Sequence, residues 1–147
     1  MNWHAIKIHA IVGGKECCFD SKFEYKVALL FEAWKALGVL DDWEHHSQTF
    51  EFKERCRTRK QYTPDFRIYE NINGAVVSTW VEATAAITQL HVRRLKLMSK
   101  DFPDDKFMLV LPCGTKSMRK SIIIDNARKY IERILYANPE FKRLGIK

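Results

Sequence analysis

Apolar and polar positions alternate along residues 4–12. His4, Ile6, Ile8, Ala10 and Val12 fall on one side, Lys7 and His9 on the other. A period of two predicts a half-buried strand. Gly13-Gly14-Lys15 reads as a turn, and Glu16 to Phe19 return as the second arm of a hairpin. The period then changes. Phe23, Val27, Leu30, Phe31, Trp34 and Leu37 keep helical spacing, with Asp20-Ser21 as N-cap candidates and Gly38 as a stop, so a helix is predicted over 21–37.

Residues 39–52 read as strand with a turn near Ser47. Residues 61–69 read as one strand, in which Pro64 suggests an edge position or a bulge. Asn71 to Gly74 make a turn, and 75–83 follow as a central strand. A helix is predicted over 86–101, a buried strand over 107–111 and a basic amphipathic helix over 122–137, carrying Arg128, Lys129 and Arg133. This order implies an α/β fold, a mixed β-sheet flanked by α-helices. The run 75–83, 86–101, 107–111 is a candidate strand–helix–strand crossover.

The length of 147 residues suits a single domain over 1–147, and no linker or internal repeat divides it. No apolar run approaches the roughly 20 residues that a membrane-spanning helix needs. The first ten residues lack the charged-then-apolar pattern of a signal peptide, so a cytoplasmic protein without a membrane partner is expected. Cys17, Cys18, Cys56 and Cys113 show no CxxC spacing and read as reduced, unlinked thiols.

A net charge of +7 favours a polyanionic partner, most simply nucleic acid. Lys53, Arg55, Arg57 and Arg59 recur at every second position, followed by Lys60. On one strand they would form a row suited to tracking phosphates, or equally a charge-protected edge. On helix 86–101, Arg93, Arg94 and Lys96 are candidate phosphate contacts, with Gln89 and His91 as further substrate contacts.

Asp65 and Glu82 carry the candidate chemistry. Counted outward from the turn at 71–74, they sit at similar heights on neighbouring antiparallel strands and can meet on one face. Two hard oxygen ligands so placed suit magnesium or manganese, with phosphate and water completing the shell. Glu24 admits two roles, a third ligand or, in Ser21-x-x-Glu24, the carboxylate of a capping box. His45-His46 would point to opposite faces of a strand, which favours sheet packing over chelation.

Thr63-Pro64-Asp65-Phe66 and Val81-Glu82-Ala83-Thr84 together resemble the PD-(D/E)xK nuclease motif. Residues 19–44 and 81–111 are similar to small phage nucleases of that superfamily, including the phage endonuclease I Holliday-junction resolvases. The resemblance implies a restriction-endonuclease-like fold and a magnesium-dependent endodeoxyribonuclease, with Asp65, Glu82 and Glu24 on the metal. It also implies branched DNA as substrate and a homodimer. One position departs from the motif, for Thr84 stands where the family keeps a catalytic lysine. The residues therefore also admit a nuclease-fold protein that binds DNA without cutting it.

Overall fold

A computed structural model of the chain describes residues 6–56 and 59–147, without the side chains of residues 55, 56 and 59. Its first elements are the hairpin β1 (Ile8–Val12) and β2 (Lys15–Phe19), followed by α1 (Lys22–Ala36). Ile8, Ala10 and Val12 turn inward as the alternation requires, but Ile6, placed on the same side, precedes β1 and is exposed, and His4 lies outside the described residues. At the hairpin turn Gly13 has φ +58°, a left-handed conformation that favours glycine. Ser21 caps α1 by accepting from the Glu24 amide, and Gly38 follows the helix at φ +77°.

The central sheet has five strands in the order β3 (Asp42–His45), β6 (Phe66–Ile72), β7 (Ala75–Ala83), β8 (Phe107–Leu111), β9 (Arg133–Tyr136). The first three are antiparallel, and β8 and β9 add in parallel, so the sheet is mixed. Asn73 and Gly74, at φ +53° and +85°, make the two-residue turn between β6 and β7. Helix α2 (Gln89–Asp101) carries the chain from β7 to β8. β4 (Phe50–Cys56) and β5 (Arg59–Tyr62) form a separate hairpin. The last helices are α3 (Met118–Ala127) and α4 (Ala137–Leu144). With its five-stranded mixed sheet and four α-helices among the described residues, the protein is mixed α/β.

Two apolar layers hold the sheet. On one face Phe66, Ile68, Val81 and Val110 pack with Val27, Leu30 and Phe31 of α1, the β1–β2 hairpin and Phe141 of α4. On the other, Trp80, Phe107 and Leu109 pack with Leu95 and Met98 of α2, Ile123 and Ile124 of α3, and Phe50, Phe52 and Tyr62 of the β4–β5 hairpin. Among the described residues no helix is long and apolar enough to cross a membrane.

Three sequence expectations change. Residues 61–69 are two strands, not one. Pro64, which has no N–H to give a ladder, sits in the break, and the chain passes there from the β4–β5 hairpin into the central sheet. The basic row does not lie on one strand. Lys53 and Arg55 are on β4 and Arg59 opens β5, with Cys56 opposite Arg59, so the chain reverses within the row; Arg57 lies outside the described residues. The single helix over 122–137 is α3, a 3-10 turn at Arg128–Tyr130 and strand β9. Ile134 and Leu135 there pack into opposite layers, and pairing with β8 covers an edge of the most buried strand. Local helical spacing loses to that tertiary ladder.

Candidate functional site

The register that joins β6 to β7 pairs Phe66 with Val81, and one step further it sets Asp65 against Glu82. Phe66 and Val81 both turn into the α1 layer, so Asp65 and Glu82 turn to the opposite face, where Trp80 packs. The Ala83 amide donates to Asp65 Oδ2 at 2.8 Å and ties the two strand ends together. Alongside, the His46 amide donates to the Asp65 carbonyl at 3.0 Å, so His46, Asp65 and Glu82 form one row across the sheet end.

This row opens into a polar cleft of about 1100 Å³. Glu24, Thr84, His91 and Arg94 line it together with Asp65 and Glu82. Glu82 is buried, and the Tyr62 hydroxyl donates to its Oε2. Its Oε1 stands 3.7 Å from His91 Nε2. His91 is oriented by the start of α2, where the Thr88 amide donates to Nδ1 at 2.9 Å, leaving Nε2 to face Glu82. Arg94, one helical turn on, lies over the Tyr62 ring at 5.6 Å. Burial first, and then the charge of Asp65, pushes the Glu82 carboxyl up to about 8. Burial likewise raises Asp65, against the opposing pull of the His46 imidazole 3.7 Å away. Two acids raised by burial and by a neighbouring carboxylate, Asp65 beside Glu82 and Glu24 beside Asp65, are suited to a cation.

Both Glu24 oxygens are engaged, one in a helix-start bond and the other by two histidines. Oε2 accepts from the Asp20 amide at 2.9 Å, a helix-capping bond placed one residue before the Ser21 cap. Oε1 meets His45 Nε2 at 2.6 Å and His46 Nε2 at 3.1 Å. Burial pushes the Glu24 carboxyl up, but the bonds to His45, His46 and the Asp20 amide outweigh it and hold the group down at about 2. The Asp65 and Glu24 carboxylates, 3.7 and 3.1 Å from its Nε2, push His46 up to about 10.

The histidine pair corrects an expectation. His45 closes β3, but His46 has φ +47°, so the strand's alternation stops between them. The rings stack at 3.8 Å instead of facing apart. Histidine is among the residues enriched in this backbone region, which was the available sequence signal. Tyr62 was also missed; it stands only three residues before Asp65, but the break at Pro64 hides the relation from any strand periodicity.

The remaining site candidates divide. Lys60, His91 and Arg94 line the cleft, whereas Gln89, Arg93 and Lys96 are exposed outside its wall. Thr84 lines it too, but its hydroxyl accepts from the Ala86 amide at 3.2 Å and donates to the Ala86 carbonyl at 2.9 Å. Among the described residues, the ligand atoms of Glu24, His45 and His46 lie within 4.8 Å of one another, while Asp65, Glu82 and Glu24 do not close to that spacing as a trio. No family model matches the chain, and no curated protein or solved structure matches it.

Proposed function

We propose that the cleft is the active centre of a metal-dependent DNA endonuclease of the PD-(D/E)xK kind, built on a restriction-endonuclease-like fold. The observation that carries this reading is the pairing of Asp65 with Glu82 at the end of adjacent strands, both turned into one polar cleft. The donor set fits magnesium or manganese, since both groups are hard carboxylates, mutually repelling and open to water on one side. Asp65 and Glu82 would hold that ion, which when bound polarises a phosphate oxygen and acidifies a water. The Ala83 amide fixes Asp65, and Tyr62 fixes Glu82, so neither carboxylate has to be ordered when substrate arrives. Glu24 assists only by releasing an imidazole, because both its oxygens are engaged. Arg94 and Lys60 offer positive charge to the phosphate backbone at the same cleft. Branched DNA and a dimer that cuts two strands symmetrically follow from the resemblance to junction resolvases.

A second reading keeps the fold and DNA binding without cleavage. It is favoured by Thr84, whose hydroxyl is spent within its own turn and supplies no charge where the motif has lysine. Nicking of duplex and four-way-junction DNA, with and without magnesium, separates the two. Magnesium-dependent cleavage abolished by Asp65→Ala supports the endonuclease. Binding without cleavage, undisturbed by Asp65→Ala, supports the second reading and refutes the first.

A further inference from the structure

We infer that Glu24, His45 and His46 form a binding site for one borderline divalent transition-metal ion of the zinc class, chemically distinct from the hard-cation pair Asp65 and Glu82. The inference does not rest on the nuclease reading and holds whether or not the chain cuts DNA.

Convergence comes first. Two imidazole Nε2 atoms from adjacent residues meet a single carboxylate oxygen at 2.6 and 3.1 Å. Ligands around a tetrahedral zinc, at about 2.0–2.1 Å from the ion, lie roughly 3.3 Å from each other. From 2.6 and 3.1 Å, the present spacing needs to open by about 0.7 Å at His45 and about 0.2 Å at His46 to admit an ion. Two adjacent strand residues do not ordinarily reach one point; here the φ of +47° at His46 brings the second ring round onto the first.

The support for the ligands comes second. His45 is pinned between Phe19 and Phe66, with ring centroids at 4.7 and 5.3 Å. Glu24 is held by the Asp20 amide through its other oxygen, which leaves Oε1 for the ion. Such bracing of the ligands from behind is what a metal site requires. Glu24 and His46 line the cleft, so water can complete the shell from that side. Proton-mediated bonds join the three groups without an ion; an ion would replace those protons.

The ligand chemistry comes third. Two imidazoles and one carboxylate favour zinc, cobalt, nickel or iron over magnesium, which prefers oxygen. Glu24 is thus committed to a softer ion than the one Asp65 and Glu82 suit.

Cobalt titration of the full chain, followed by visible d–d absorption, tests the site. One equivalent should produce bands that zinc removes and excess magnesium does not. His46→Gln, at the more exposed ring, should weaken binding by well over about tenfold, since even losing a support behind a ligand costs that much. His45→Gln should do the same, with circular dichroism confirming that it folds. Glu82→Gln should keep the bands. Absence of bands in the wild type, their survival in both histidine variants, or their loss in Glu82→Gln would each overturn the assignment. Failure of the nuclease reading is seen separately, as absence of magnesium-dependent nicking.

Discussion

Replacing Glu82 with glutamine should stabilise the metal-free protein at neutral pH, although it removes a residue of the proposed active centre. Glu82 is buried beside Asp65, and its acid is raised from the ordinary 4.5 to about 8. In the unfolded chain the group loses its proton near its ordinary value, whereas the folded chain retains it. Folded stability therefore falls as pH rises from about 4.5 towards 8, and none of that loss is present below the unfolded value. At pH 7 the gap spans about 2.5 units at ~1.36 kcal/mol each, or ~3 kcal/mol. Glutamine keeps an acceptor for the Tyr62 hydroxyl and carries no charge. In a chain of this length ~3 kcal/mol corresponds to a rise in Tm of roughly 6–12 °C. Thermal melts in EDTA at pH 4, 6 and 8 would read it. The gain should be near zero at pH 4 and grow with pH, and magnesium should raise the wild type but not the variant. A Glu82→Gln protein that folds yet melts at or below the wild type at pH 8 would refute the account that burial and the Asp65 charge hold the proton on Glu82.

Thr84→Lys restores a cation at a position already on the cleft wall, so it should create or raise magnesium-dependent nicking; intact metal binding with no gain counts against this view of position 84. Arg94→Ala should weaken DNA binding and lower the slope of log affinity against log salt by about 1, as fluorescence anisotropy across a salt series would show. Gly13→Ala should cost ~1–2 kcal/mol in chemical denaturation, since φ is +58° and the new Cβ would collide with the Glu32 carboxylate that accepts from Trp43 Nε1 at 2.7 Å. An unchanged denaturation midpoint in that variant would show that Glu32 moves without cost.

Much of the frame was legible because it is local. The stripe from Phe23 to Trp34 made one helix, the alternation at Ile8, Ala10 and Val12 made one strand, and Asn73-Gly74 made one turn. That turn fixed the count outward along both arms, which is why the height of Asp65 against Glu82 could be read before any coordinates. Of the two roles open to Glu24, the helix-start bond is seen at Oε2, which accepts from the Asp20 amide, while Oε1 is taken by two histidines that the sequence did not bring to it.

What remained hidden depended on partners distant in sequence. Residues 133–136 carry a spacing that a helix would accept; only the open edge of β8 makes them a strand. The basic residues from Lys53 to Arg59 alternate well enough for one strand, but Cys56 pairs back on Arg59 and divides them. Pro64 announced an interruption without saying that the chain would change sheets there. The two histidines show the limit most directly. Side-chain alternation holds while the backbone stays extended, and a single residue at φ +47° cancels it. The residue types at the sheet end were thus determined by the sequence. Their convergence on Glu24 was decided by the tertiary structure, because one backbone angle and a carboxylate 21 residues earlier set where those rings point.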